Sequence, residues 1–378
     1  MTQDTASYAA FHELVDLLRD TADSWLSADN EVETPRDFAE GIRNVLHLLS
    51  GGIDFYLEGD AERPEFVKIV SPIRRFMGDN PDAIYHFARI RDDRSYRIHG
   101  KRGDECYLSF TIHGRNENGA LGATSEPVLT DINHRGFHFE ADGSYEILLS
   151  PDKQPGNWIE TPAGAASLIV RHYWEEEQGV PAADQRPLHL CIEPVTDPGP
   201  RPLLDDAQMA ERLKDVTAFL HGGTTGGFVL PNPPPFISKI PNEIGTPMVF
   251  RQAETDAWGA VDIAYAMGPF QLAEGEALVI EGHYPECAFA NLVLWNRYMQ
   301  ALEYRDRKIS INRKQTVLEP DGSYRIVLAA VDPGVPNWLC TEGRPEGTMF
   351  WRFLLPEGAP EKPLCRVVLI KDLKVTAR

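Results

Sequence analysis

Four ionisable residues lie close together around one predicted β-hairpin of this chain: His134, His138, Glu140 and Glu146. Alternation along the two strands predicts that they share one face, opposite a face of aromatic and aliphatic residues. Histidine titrates near neutral pH, and a neighbouring carboxylate can orient it as a general acid or base. The four residues are therefore the predicted catalytic group, acting on a small organic substrate.

The same side chains fit two other interpretations. A solvated sheet face with cross-strand His–Glu pairs is typical of antiparallel sheets. A divalent metal at His134, His138 and Glu146 is possible but disfavoured, because a spacing of four residues brings two ligands together on a helix and not on an extended strand. No metal and no other cofactor is predicted.

The segment that carries these residues occurs twice. Residues 132–145 return without a gap as residues 311–324, including an Asp-Gly-Ser-Tyr turn. Repetition over most of the chain predicts two related domains. The second copy has Arg313 and Val317 at the positions of His134 and His138. Polar residues present in one copy only are the better candidates for function.

Helices are predicted ahead of each copy. Apolar spacing predicts a helix over residues 7–26, and Thr34-Pro35 with a later Gly51-Gly52 predicts a second helix that ends at a left-handed cap. A matching helix runs from about Asp205 to His221. The fold class is therefore mainly β, with two tandem jelly-roll-like antiparallel sandwiches from an internal duplication, leading helices and a helical N-terminal segment.

Four segments are expected along the chain. They are a helical N-terminal segment (1–80), a first β-sandwich repeat (81–192), a linker with a helix and a Gly/Pro-rich loop (193–240), and a second β-sandwich repeat (241–378).

Other polar residues are candidates for substrate binding. Tryptophan beside an amide offers a stacking face to a ligand, although its presence in both copies favours packing. An arginine inside an apolar strand needs a partner, and Asp142 and Asp321, or Glu140 and Glu319, are predicted for that role. His86 has no histidine counterpart in the second copy. The predicted substrate-binding residues are His86, Trp158, Arg171, Trp338 and Arg352.

Composition limits the partners and the compartment. A net charge of −20 argues against nucleic acid and against an anionic membrane surface as partners. Five cysteines without a Cys-x-x-Cys motif, no secretory signal and no long apolar run predict a cytoplasmic protein. The expected partner is a small-molecule substrate, and the oligomeric state is left open.

The order of motifs in the second copy resembles a known family. Ile311-Asn312-Arg313 is followed by Pro320-Asp321-Gly322-Ser323, then Asn337-Trp338-Leu339, then Phe350-Trp351-Arg352-Phe353. This order is similar to that of the bacterial family catalogued as domain of unknown function 1214, and the first copy repeats it more loosely. The resemblance implies jelly-roll-like sandwiches and no settled chemistry. The first copy departs from it where His134 replaces the arginine.

Two functions follow as hypotheses. The first is an enzyme, a hydrolase or lyase, that uses acid–base chemistry at a cleft near the first repeat, with hydrolysis of a glycoside or amide as the reaction. The alternative is a non-catalytic protein that binds a small molecule or carbohydrate on paired tryptophan platforms.

Overall fold

The computed structural model of the chain describes residues 5–116, 121–122, 126–226, 233–249 and 258–373. Its helices are α1 (Ala6–Asp20), α2 (Pro35–Gly52), α3 (Pro181–Asp184) and α4 (Asp206–Gly223). The strands of the first repeat are β1 (Val67–Lys68), β2 (Ala83–Arg89), β3 (Tyr96–Lys101), β4 (Tyr107–Gly114), β5 (Val128–Asn133), β6 (Ser144–Ser150), β7 (Trp158–Glu160), β8 (Ala165–Tyr173) and β9 (Leu190–Pro194). Those of the second repeat are β10 (Met248–Val249), β11 (Ile263–Gln271), β12 (Glu276–Gly282), β13 (Phe289–Trp295), β14 (Ser310–Asn312), β15 (Tyr324–Ala329), β16 (Trp338–Cys340), β17 (Glu346–Leu354) and β18 (Leu364–Leu369).

The two repeats have the same topology. The first contains a five-stranded sheet in the order β1-β2-β8-β4-β5 and a four-stranded sheet in the order β7-β6-β3-β9. The second contains β10-β11-β17-β13-β14 and β16-β15-β12-β18, which match the first strand by strand. The mainly β fold class with two duplicated sandwiches is therefore confirmed.

The two sheets of each repeat enclose a core. In the first repeat, Leu108, Phe110 and Ile112 of β4 pack against Ile147 and Leu149 of β6. This is the apolar face that strand alternation predicts. The second repeat has an equivalent cluster built on β12, β13, β15 and β17.

The helices before each repeat begin where predicted and end differently. Thr34 caps α2 by accepting a hydrogen bond from the Asp37 backbone N–H. The predicted left-handed cap at Gly51-Gly52 is wrong, because both residues lie inside α2, which continues into a π-helical turn over Ile53–Leu57. A Cβ atom on Gly52 would lie 3.1 Å from the Phe219 ring of α4. The glycine thus serves the close packing of α2 on α4.

The predicted hairpin of the first repeat is confirmed at its turn and wrong in its first strand. Gly143 has a φ of 85°, and the Glu140 backbone N–H donates to the Ser144 carbonyl across the turn. Residues His134–Gly136 form a 3₁₀ turn and not a strand. Asn133 causes this, because its side chain accepts from the Arg135 backbone N–H and so caps a helical turn.

The repeats meet through the outer faces of their five-stranded sheets. Polar contacts cross this interface reciprocally. Asp82, just before β2, accepts hydrogen bonds from the second repeat, and its counterpart Asp262, just before β11, accepts from Tyr107 at 2.7 Å and Asn133 at 2.8 Å in the first. Between them lies an apolar cluster that includes Ala83, Tyr107, Tyr173, Ile263, Phe289 and Leu354.

An asparagine holds the hairpin in each repeat. Asn337 accepts from the Val317 N–H and donates to the Val317 and Arg325 carbonyls. Asn157 makes the same three bonds to His138 and Glu146. The Asn-Trp motif is therefore shared because both folds need it.

Replacing Asn337 with alanine is expected to lower the free energy of unfolding by about 2–4 kcal/mol, because Asn337 is buried and backbone groups lose their partners. Its φ of 56° adds strain for alanine. The half-buried Asn157→Ala variant is expected to lose about 1–2 kcal/mol. Urea unfolding measures both values, and equal losses would contradict the role of burial.

No helix within the described ranges is long and apolar enough to cross a membrane. All five cysteines are free thiols.

Candidate functional site

Three of the four predicted catalytic residues line one open depression. His138, Glu140 and Glu146 contribute to this hairpin groove, which also includes Gly136, Ser144 and Asn157 and has a volume of about 600 Å³. All three predicted residues are exposed. His134 is not among the lining residues, because the 3₁₀ turn directs it towards β4, where its ring lies against Tyr107.

Within the hairpin groove, the carboxylates do not orient the histidine. Glu146 pairs with Arg97 at 3.3 Å and with His99 at 3.7 Å. Among the described residues, the hydrogen bonds of His138 come from its backbone, which binds Asn157. His134 is half-buried, and burial lowers its pKa to about 4, so its imidazole is neutral at pH 7.

The two tryptophans of the Asn-Trp motifs are tied to their own strands. The Trp158 indole N–H donates to Ser150 Oγ at 3.0 Å, and that of Trp338 donates to the Ala329 carbonyl at 3.0 Å. Both rings are half-buried. These contacts give each tryptophan a structural role at the end of a strand.

The two strand arginines cross the interface between the repeats. Arg171 donates to the Trp258 and Gly259 carbonyls at 3.1 Å each, and Arg352 donates to the Gly78 carbonyl at 2.6 Å. The predicted ion pairs with hairpin carboxylates are therefore wrong.

The hairpin aspartates instead stabilise their own turns. Asp142 accepts from the Ser144 N–H and hydroxyl, and Asp321 does the same with Ser323. An aspartate two residues before a serine satisfies this local geometry without a distant partner.

His86 is a buried residue inside the first sandwich. Its ring lies 6.2 Å from that of His172 and 6.2 Å from that of Phe66. Burial lowers the pKa of His86 to about 4, so the imidazole is neutral at pH 7. Across the described part of the chain, no group of three or more His, Cys, Asp or Glu side chains is arranged to hold a metal ion.

A second depression lies where the two repeats meet. This junction groove has a volume of about 440 Å³ and combines residues from both halves of the chain. The first repeat contributes Asp82 and residues 177–180, and the second contributes residues 304–310 and Gln315. Ligand sites favour such junctions between domains.

Asp82 is the buried carboxylate of the junction groove. It accepts from Asn291 Nδ2 at 2.8 Å and from Asn312 Nδ2 at 3.3 Å. Burial raises the pKa of Asp82 to about 6, although the two asparagine donors oppose the shift. A carboxyl group with such a pKa can hold or release a proton near neutral pH.

The opposite wall of the junction groove carries three cationic side chains, Arg305, Arg307 and Lys308, and one carboxylate, Asp306. Arg305 is bound by Glu303 through two hydrogen bonds. Arg307 and Lys308 are exposed, and no side-chain partner is found for either among the described residues. Partial desolvation of the ammonium lowers the pKa of Lys308. The wall therefore offers two cations to an incoming anion.

A contact between the repeats explains why the first repeat has no arginine at the position of Arg313. Arg313 binds Glu175, a buried residue just after β8, at 2.7 Å. In the second repeat the residue at the position of Glu175 is Pro356. His134, which stands at the position of Arg313 in the first repeat, therefore has no carboxylate to bind. The difference between arginine and histidine at this position is explained by the interface between the repeats.

Sequence reasoning missed the junction groove. Both copies have an aspartate at this position, Asp82 and Asp262, so the comparison of copies does not single it out. One available signal was the dense run of charges over residues 303–308, which belongs to the loop before β14.

The first repeat matches a known protein family. Residues 87–177, from β2 to just beyond β8, match the family described as "Protein of unknown function (DUF1214)". The resemblance that the motif order indicates is therefore confirmed, with the match covering the first repeat.

Two solved structures match most of the chain. An uncharacterised protein from Burkholderia cenocepacia has a TM-score of 0.83 and 27% identity, covering 96% of this chain and 98% of its own. A Vibrio parahaemolyticus protein has a TM-score of 0.49 and 14% identity, covering 86% and 97%. No curated protein matches the chain.

Proposed function

We propose that the protein binds a small organic acid in the junction groove. The observation that carries this proposal is the pair of cations, Arg307 and Lys308, that face the groove without a carboxylate partner among the described residues. A cationic wall is the usual counterpart of a carboxylate or phosphate group. The groove is of a size that suits a small molecule.

Asp82 places a carboxyl group in the junction groove opposite the cations. Its carboxyl group lies on the side contributed by the first repeat, whereas the cations belong to the second. A ligand that carries an acidic group at one end and a neutral polar group at the other would satisfy both sides. Binding of this kind would also hold the two repeats together, because each contributes one wall.

Neutralising Arg307 and Lys308 is expected to weaken binding. We expect Arg307→Gln/Lys308→Gln to weaken the binding of organic acids at least tenfold, because each charge-assisted contact contributes about 1.5–3 kcal/mol. Calorimetric titration with a panel of carboxylic and phosphorylated acids measures this loss. The control is Arg135→Gln, which removes an exposed cation outside the groove. Unchanged affinity in the double variant, or no binding of any acid by the wild type, would refute the proposal.

A second candidate function is acid–base catalysis at the hairpin groove, such as hydrolysis of a glycoside or amide by a hydrolase. The observation that favours it is that His138, Glu140 and Glu146 line one depression. In this role His138 is the acid or base, and the two glutamates bind or polarise the substrate.

Substitution of His138 tests whether its side chain is needed for turnover and not for stability. We expect His138→Ala to lower turnover of a glycoside or amide substrate at least 100-fold, with little change in stability because the side chain is exposed. Val317→Ala, at the matching position of the second repeat, is the control. A screen in which the wild type hydrolyses no such substrate, or in which His138→Ala retains full turnover, would dismiss this function.

A further inference from the structure

β18 is the edge strand of the four-stranded sheet in the second repeat. It pairs with β12 in the order β16-β15-β12-β18, and no other strand among the described residues pairs with it. An edge strand presents backbone N–H and C=O groups that a further strand can bind. Its side chains are exposed as well, with exposed fractions of 74% for Leu364, 39% for Val367 and 41% for Leu369. Aliphatic side chains therefore cover an edge that the fold leaves open.

Two of these side chains face the inside of the sandwich. Val367 and Cys365 lie opposite Leu278 and Ile280 of β12, which belong to the core of the second repeat. Residues directly opposite each other share one face of a sheet, and alternation places Leu369 on that face too. Val367 and Leu369 are thus core-facing residues that remain more than one third exposed. The core of the second sandwich is incomplete at this edge.

The first repeat blocks the same edge with a proline. The strand registers of the two repeats place Pro194 of β9 and Val367 of β18 at equivalent positions. Proline has no N–H group and is typical of edge strands that stay unpaired. β18 contains no proline and continues to Leu369. Since the related repeat blocks this edge, the fold itself does not require it to be open.

We propose that β18 pairs antiparallel with β18 of a second copy of this chain, so that two four-stranded sheets form one continuous sheet across a twofold axis. Val367 lies on the axis, opposite the partner subunit's Val367. Cys365 lies opposite the partner subunit's Leu369. The exposed core-facing side chains of the two sandwiches then cover each other.

The charges of β18 favour this direction and this register. Centring the pair one residue earlier would place Arg366 opposite the partner subunit's Arg366, and like charges directly opposite each other are destabilising. In the proposed register Arg366 lies opposite the partner subunit's Val368. Lys362 precedes the strand, where it also binds Glu243, and Asp372 follows it; both are exposed. Antiparallel pairing brings the lysine of each copy towards the aspartate of the other, whereas parallel pairing would bring like charges together.

The mass of the full-length protein in solution tests the pairing. Sedimentation equilibrium over a range of micromolar concentrations is expected to give twice the mass of one chain for the wild type. Val367→Pro installs the residue of the first repeat, and Val367→Lys places like charges opposite each other. We expect each to weaken dimerisation at least tenfold. Val195→Lys, which changes an exposed valine just after β9, is the control and should leave the dimer unchanged. Circular dichroism and thermal unfolding verify that the variants are folded.

A cysteine on the proposed axis tests the register. Directly opposite residues of an antiparallel pair have Cα atoms about 4.5–5.5 Å apart, which a disulfide can span. Oxidation of Val367→Cys with diamide is therefore expected to give a covalent dimer on a non-reducing gel. The controls are the wild type, whose five cysteines are free thiols, and Arg366→Cys, which is displaced from the axis. Neither control should cross-link to the same extent.

The outcomes decide between this interface and the other occupants of the edge. A wild type that is monomeric at every concentration overturns the proposal, because a second copy then does not bind the edge. A dimer that persists in both Val367→Pro and Val367→Lys overturns it too, since another surface would hold that dimer together. Dissociation of both variants together with cross-linking of Val367→Cys supports the pairing of β18 with β18.

Discussion

Replacing Arg171 with methionine is expected to lower the free energy of unfolding by about 3–5 kcal/mol. Arg171 is buried, and its guanidinium binds Thr111 in its own repeat and the Trp258 and Gly259 carbonyls in the other. Methionine fills a similar volume but leaves these three oxygens without their donor. Each hydrogen bond to a charged group contributes about 1.5–3 kcal/mol, so the expected loss is large for a single substitution.

Urea unfolding monitored by circular dichroism measures this loss. Arg135→Met is the matched control, because it removes an exposed arginine of the same repeat. Arg352→Met is expected to cost less than Arg171→Met, because the Arg352 guanidinium donates to one acceptor among the described residues, the Gly78 carbonyl. A loss for Arg171→Met no larger than that for Arg135→Met would show that the crossing contacts do not hold the repeats together.

The sequence predicts the fold well because its signals are local and occur twice. The Asp-Gly-Ser turns depend on a glycine with positive φ and on an aspartate that binds the next serine. Such contacts lie within two or three residues, so composition alone indicates them. Strand alternation likewise indicates which face of β4 belongs to the sandwich core.

The errors arise where a distant element decides the conformation. Gly51 and Gly52 have the composition of a helix cap, but the approach of Phe219 and Phe76 explains why glycine is needed there. The outer face of β4 carries Ser109, Thr111 and His113 and is nevertheless buried, because the outer face of this sheet is covered by other elements. Neither fact can be derived from the neighbouring residues in the sequence.

The candidate site was predicted only in part for the same reason. His138, Glu140 and Glu146 share a groove because they belong to one hairpin, which sequence spacing indicates. Asp82 and residues 304–310 form the junction groove through the docking of two repeats, and that docking depends on side chains far apart in the chain. Arg352 was predicted as a binding residue for its burial, yet its partner is a carbonyl of the other repeat.

Buried aspartates at the interface are expected to make a contribution to stability that falls as the pH rises above mildly acidic values. Burial raises the pKa values of Asp79, Asp82 and Asp131 to about 6 each, from an ordinary value of 3.8. Between about pH 4 and pH 6 the folded protein holds protons at these groups that the unfolded chain has released. The contribution of these three groups to the free energy of unfolding therefore falls as the pH rises through this window and stays lowered above it.

A carboxylate whose pKa is lowered by folding has the opposite effect on the free energy of unfolding at low pH. A hydrogen bond from Arg305 lowers the pKa of Glu303 to about 2, with Arg75 adding to the effect. The stability that Glu303 contributes is present above its ordinary pKa and is lost as the pH falls towards 2. Buried histidines also oppose the aspartates. Burial lowers the pKa to about 4 for His86 and His134 and to about 3 for His113 and His172, so their contribution to stability rises as the pH rises towards 6.5.

Asp79 is the best residue with which to test this dependence, because it does not line the junction groove. Its Oδ1 accepts from the Ala301 backbone N–H at 2.7 Å, a bond that an asparagine oxygen can keep. Arg75 and Arg352 are the cations that favour its charged form, and burial outweighs them. Replacing Asp79 with asparagine therefore removes the free-energy cost of burying an ionised carboxylate, which the wild type bears only near neutral pH and above.

We expect the stability of Asp79→Asn relative to the wild type to rise by about 2–3 kcal/mol between pH 4 and pH 7. Urea unfolding at intervals of half a pH unit measures this difference. Glu140→Gln, which neutralises an exposed carboxylate, should leave the wild-type profile almost unchanged. A difference between Asp79→Asn and the wild type that stays constant across the range would show that Asp79 is already ionised at pH 4, and that its burial at the interface carries no protonation cost.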